Sequence, residues 1–152
     1  MQTVERSRWL PYNQSEIYAV LTDVQKFAQI VKRIVSLEVL ERNGEVGRIL
    51  AKIDLPGGKT IQTEGRVTGN LDDNLAFNSD QPFPMAITWQ LMASEQDGTA
   101  GTMVSYSIAV DLSSKVAFLS QLVLNGYLSS ELDGDLGRLE TFVQEASQIN
   151  QQ

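Results

Sequence analysis

The sequence predicts an α+β fold in which a curved antiparallel sheet is closed by one long C-terminal helix. Three observations carry this prediction. From about Ser114 to about Ser147, Leu122, Leu128, Leu132, Leu136, Leu139, Val143 and Ala146 recur at spacings that keep them on one helical face. Between Ile34 and Leu112 the apolar period is two instead of 3.6, strand after strand. The turns between these strands are too short for parallel crossovers, so sequential neighbours run antiparallel. Such a sheet buries one face only if a helix covers it, and the pair then encloses space.

The elements follow in order. Residues 2–9 read as a first strand, ended by Pro11, which has no N–H to offer a ladder. Asn13 with Glu16 three residues later forms a capping-box pattern. Ile17, Val20, Leu21 and Val24 then stand at i, i+3, i+4 and i+7, the mark of a short amphipathic helix, and Asp23 caps a further turn from Phe27 to Val31. Val35, Leu37 and Val39 alternate with polar residues up to an Asn43-Gly44 hairpin turn. Ile49, Ala51, Ile53 and Leu55 form the next strand, closed by Pro56-Gly57-Gly58. Ile61, Thr63, Gly65 and Val67 follow, then turn residues at Gly69-Asn70 and Asp72-Asp73, and a short strand with Leu75 and Phe77. Pro82 and Pro84 bracket another turn before Met85, Ile87, Trp89 and Leu91, which end at Gln96-Asp97-Gly98. Thr102, Val104, Tyr106, Ile108, Val110 and Leu112 make the longest alternation. The order is therefore one strand, two short helices, six strands and a long helix, in a single domain over residues 1–152 with a frayed end at Asn150–Gln152.

Composition narrows the chemistry. Among 152 residues, 19 are acidic and 12 basic, a net charge of -7, which argues against a nucleic-acid surface. Lys26, Lys32 and Arg33 form the nearest approach to a basic cluster and read as a solvated helix end. Cysteine and histidine are both absent. Thiolate nucleophiles, Cys-ligated zinc, the usual general base and the commonest metal ligand go with them. The expectation is thus no metal and no cofactor. The polar N-terminus does not read as a secretory signal, and the most apolar run, Val116 to Leu128, is interrupted at Ser120, Gln121, Asn125 and Gly126. A cytoplasmic protein without a transmembrane segment is the resulting expectation.

The segment LPYNQSEIYAVLTDVQKFAQIVKRIVSLEVLER resembles the entry to the START-like, or SRPBCC, superfamily. Ile17, Tyr18, Leu21, Asp23, Phe27, Val39 and Leu40 stand at the positions of its signature, GTMVSYSIAV from Gly101 to Val110 resembles its last strand, and DLGRLETFVQ the end of its terminal helix. The resemblance covers nearly the whole chain and is carried by loose motifs taken together. It implies a helix-grip, a seven-stranded antiparallel sheet wrapped around the C-terminal helix, with an apolar cavity between them. Family members bind lipids, sterols, quinones or polyketides, and some catalyse cyclisation or dehydration. The polyketide cyclase/dehydrase, coenzyme Q-binding and carbon monoxide dehydrogenase-associated branches are the ones most similar to this chain.

Candidate ligand-binding residues are Phe77, Ile87, Trp89, Val104, Tyr106 and Ile108 on the inward sheet face, with Phe118, Leu122 and Asn125 from the helix. Each sheet residue has two readings, core packing against the helix or the wall of a pocket. Trp89 and Tyr106 favour the second, because each joins an apolar body to a polar tip that needs a partner when buried. Asn125 falls on the leucine stripe, where its amide is either satisfied structurally or oriented towards a ligand. Gly126, Ser130, Gly134, Gly137 and Thr141 share another helix face, which reads either as neutral drift or as a close approach by another backbone, including a second copy of the chain. Glu131, Asp133 and Asp135 read as a solvated helix face, and Glu64 and Arg66 as outward strand residues, so no catalytic residue is assigned. Binding of a hydrophobic small molecule is favoured over turnover, with entry gated by Pro56-Gly57-Gly58 and the Pro82–Pro84 loop. The alternatives are a cyclase/dehydrase-like enzyme using Tyr106 or a carboxylate with a raised pKa, and an interaction module using the small-residue helix face, as in a homodimer.

Overall fold

A computed structural model describes residues 2–44, 46–55, 59–81, 84–111 and 121–150. Its elements are β1 (Gln2–Leu10), α1 (Gln14–Leu21), α2 (Val24–Ile30), β2 (Ile34–Asn43), β3 (Val46–Leu55), β4 (Lys59–Asn70), β5 (Asn74–Ser79), β6 (Met85–Gln96), β7 (Thr99–Val110) and α3 (Gln121–Asn150). The seven strands form one antiparallel sheet in the order β1-β7-β6-β5-β4-β3-β2. Consecutive strands from β2 to β7 pair as hairpins, and β1 closes the far edge against β7. This is the helix-grip arrangement, with two short helices inserted between β1 and β2.

Local chemistry explains the element ends. Asn13 accepts a hydrogen bond from the Glu16 backbone N–H at 2.9 Å, and the Glu16 carboxylate accepts one from the Asn13 N–H at 3.3 Å. Both halves of the capping box are therefore formed, which satisfies two N–H groups that a helix start otherwise leaves open. Asp23 caps α2 by accepting from the N–H groups of Gln25 and Lys26. Asp97 and Gly98, at φ 49° and 80°, make the two-residue turn between β6 and β7, where paired left-handed residues match the twist of the strands.

The β2 alternation departs from the sequence pattern. Register shifts between Ile34 and Ser36 and between Val39 and Glu41 insert extra residues against β3. The first shift leaves Val35 57% exposed, while Ile34 and Leu37 pack against the core. A bulge changes which residues share a face, and a period of two carried through Val35 does not register it.

Helix α3 packs on β1 and β7 and on both short helices. Its stripe of Leu128, Leu132, Leu136, Leu139 and Val143 is buried, as the periodicity requires. Along β1 it is also held by Arg6–Asp133 and Arg8–Glu140 ion pairs at 3.5 and 3.3 Å. The close approaches to Gly134 and Gly137 come from the guanidinium groups of Arg138 and Arg8, at 3.3 Å from where a Cβ would stand, rather than from another backbone. The sequence places the helix start at Ser114, but residues 112–120 lie outside the described part. No described helix is long and apolar enough to cross a membrane.

Candidate functional site

The inner face of β2–β7 and the two short helices leave a cavity of about 180 Å³. Its wall is almost wholly apolar: Leu37, Ile49 and Ala51 from the early strands, Leu75, Phe77 and Ile87 from the middle of the sheet, and Leu21, Phe27 and Leu128 from the helices. One glycine shapes this wall. A side chain at Gly65 on β4 would collide with the ring of Phe77 and with the Asn78 carbonyl, so its absence lets Phe77 lie flat across the strand. At the hairpin joining β2 and β3, Glu41, Arg42, Gly44 and Val46 border the space, and all four are exposed. That end is the mouth.

The buried end is built from aromatic rings and a charge cluster. Trp89 on β6 and Tyr106 on β7 sit opposite each other in register and stack with ring centroids 3.7 Å apart and planes 11° from parallel. Phe27 meets the Trp89 ring edge-on at 6.3 Å. The Tyr106 hydroxyl donates to Asp135 Oδ2 at 2.8 Å and accepts from Arg33 Nη2 at 3.2 Å. Arg33 also pairs with Asp135 at 3.5 Å and stands 4.0 Å from Glu131. Arg138 completes the cluster, donating to Asp135 Oδ1 at 2.5 Å and to the Ile30 carbonyl at 2.7 Å. This one cluster ties α3 to the sheet, to the end of α2 and to the start of β2.

Burial raises the Tyr106 pKa well above the ordinary phenol value, with the nearby Arg33 charge opposing. The hydroxyl therefore remains protonated and is committed to Asp135, which leaves it poorly placed as a general base. Asp135 is also raised, because loss of hydration outweighs the opposing pull of Arg33, Tyr106 and Arg138. A carboxylate whose folded pKa exceeds its unfolded value contributes stability below the unfolded value and loses it as pH rises through the folded one. Between about pH 8 and pH 5, the urea midpoint of the wild type is therefore expected to gain on that of Asp135→Asn. A gap that stays constant or widens against the wild type on acidification would contradict the raised pKa.

Of the sheet residues singled out in the sequence, Phe77, Ile87, Trp89, Tyr106 and Ile108 line the cavity. Val104 does not; it is fully buried in the core between β1 and β6. Phe118 lies outside the described residues, as do the side chains of Leu122 and Asn125. The proposed entry turns at residues 56–58 and 82–83 are likewise outside them. Two readings are corrected. Arg33 is not part of a solvated helix end but 7% exposed, and Asp135 is not on a solvated face but fully buried. Asp133 remains exposed, and Glu131 is intermediate. The signal for Asp135 was present, since it stands seven residues after Leu128, three after Leu132 and four before Leu139, on the apolar stripe itself. Arg33 follows Ile30 and Val31 and precedes Ile34, an apolar setting that its charge obscured.

The model of the family described as polyketide cyclase / dehydrase and lipid transport matches residues 10–126, most of the chain. The chain belongs to that family. It has the START-like, or SRPBCC, fold, and solved structures agree. A Thermus thermophilus protein shares 20% identity at a TM-score of 0.79, with 96% of this chain and 99% of that one aligned. The Zhui aromatase/cyclase from a Streptomyces species aligns over 94% of this chain and 93% of its own, at 14% identity and a TM-score of 0.65. The di-domain ARO/CYC StfQ of the steffimycin biosynthetic pathway aligns over 95% of this chain and 52% of its own, at 13% identity and a TM-score of 0.70. At these identities the likeness is one of fold. No curated protein matches the sequence.

Proposed function

We propose that this family member binds an apolar small molecule, of the lipid, quinone or polyketide kind, in the cavity between sheet and helices. The observation that carries the reading is the cavity itself, a space of about 180 Å³ with an almost wholly apolar wall and a mouth at the β2–β3 hairpin. Burying apolar ligand surface there supplies affinity at roughly 25 cal/mol per Å². Phe77, Ile87, Trp89, Tyr106 and Ile108 are the residues assigned to contact it.

Holding is favoured over turnover by the state of the polar groups. The Tyr106 hydroxyl and both Asp135 oxygens are already engaged with one another and with arginines. A group locked in a structural cluster is not available to move a substrate proton. The likeness to aromatase/cyclases supports a polyketide-like ligand at the level of shape.

Native mass spectrometry of the purified protein beside a denatured control, followed by organic extraction, tests the reading. The expected result is one class of apolar molecule released on denaturation, or taken up from a panel of quinones, fatty acids and aromatic polyketides. A protein that carries none and takes up none would overturn it.

A further inference from the structure

Two donors at the buried end of the cavity have no acceptor among the described residues: Arg33 Nη1 and Trp89 Nε1. Both side chains line the cavity, and both are more than nine-tenths buried, at 7% and 1% exposure. They are also neighbours through a shared partner, since Trp89 stacks on the Tyr106 ring while Arg33 donates to its hydroxyl. Tyr106 has no proton left to offer, because it gives its own to Asp135. The donors that remain for a bound molecule are therefore one guanidinium N–H and one indole N–H. Buried donors are almost always satisfied, and one left without protein or water is an opening for a ligand acceptor.

The charge of the cluster limits what that acceptor can be. Arg33 already faces Asp135 at 3.5 Å and Glu131 at 4.0 Å, and Arg138 faces Asp135. Two cations and two carboxylates balance. A ligand carboxylate would lose its hydration and bring a third negative charge beside Glu131, without an unmatched cation to receive it. An uncharged oxygen accepts both N–H bonds without that penalty.

Resting on the binding reading above, we infer that Trp89 and Arg33 are the specificity-determining donors of the cavity and select an uncharged, largely apolar molecule that presents a carbonyl oxygen at its leading end. Pure hydrocarbons leave both donors unmet, and carboxylates overcharge the cluster. The carbonyl therefore orients the ligand with its apolar remainder towards the β2–β3 mouth.

Three probes of nearly the same shape separate these cases: benzophenone, diphenylmethane and diphenylacetate, titrated calorimetrically into the full-length protein. Benzophenone is expected to bind about tenfold tighter than diphenylmethane, the effect of about one satisfied buried donor, and tighter than diphenylacetate. Trp89→Phe, which keeps a ring and removes the N–H, is expected to narrow the ketone-to-hydrocarbon preference while leaving diphenylmethane binding nearly unchanged. Equal binding of benzophenone and diphenylmethane would overturn the inference and leave the binding reading standing. Tightest binding by diphenylacetate would overturn the uncharged class, and a ketone preference that survives Trp89→Phe undiminished would overturn the role of Trp89. Failure of all three probes would count against the binding reading itself.

Discussion

Asp135→Leu is expected to destabilise the fold by about 3–5 kcal/mol, the usual cost of removing one partner from a buried ion pair. Asp135 is fully buried and receives bonds from Tyr106 and Arg138 and an ion pair from Arg33. Without it, Arg33 keeps its charge at 7% exposure with only Glu131, at 4.0 Å, to answer it. Arg138 suffers less, because its side chain is 32% exposed and its guanidinium can turn to water. The raised pKa of Asp135 shows that the cluster does not fully repay the hydration it gives up. Replacing both charges should therefore be far milder than replacing one. The double variant Arg33→Met with Asp135→Leu is expected to recover most of the loss in urea unfolding. A double variant as unstable as the sum of its single changes would show that the pair is a net stabiliser and that this account of its energetics is wrong.

The second large effect concerns the cavity. Ala51 on β3 is 2% exposed and lines the space, opposite Thr63 on β4 and Leu37 on β2. A phenylalanine at this position projects into the room a ligand would use. Ala51→Phe is expected to weaken binding of the co-purifying molecule, or of benzophenone, by about 100-fold, since excluding roughly 110 Å² of apolar contact is worth about 2.7 kcal/mol. The fold should tolerate the change, with an overpacking cost of at most about 1–3 kcal/mol. Undiminished affinity together with unchanged stability would mean that the ligand sits elsewhere. Ala51→Leu should give an intermediate loss, a gradation that a general disturbance of the fold would not produce.

Much of the architecture was legible because it rests on local chemistry. The capping box at Asn13 and Glu16, the Asp23 cap and the tight turns at Asn43-Gly44 and Asp97-Gly98 each depend on a few consecutive residues. The two periods of apolar residues depend on somewhat more. Val35 was misread because a β-bulge arises from pairing with β3 and leaves no mark on the alternation of β2 alone. Of the cavity wall, the alternating aromatics Phe77, Trp89 and Tyr106 were visible as an inward face. Val104 belongs to the same alternation yet faces filled core, since where the cavity stops depends on how α3 lies across β1 and β7.

The charge cluster marks the boundary most clearly. Asp135 stands on the leucine stripe, so its position on the inner helix face was determined by the sequence, as were the strand order along the chain and the antiparallel hairpins. Whether that carboxylate would be buried depended on partners 102 and 29 residues away, Arg33 and Tyr106. A charged residue is far more often solvated than buried, and it enters a core only when the fold delivers opposite charges and donors to it. Helical and strand periods follow from spacing along the chain. The pairing of Arg33 with Asp135, the stacking of Trp89 on Tyr106 and the empty space beside them follow from contacts that exist only once the sheet has curled and α3 has docked.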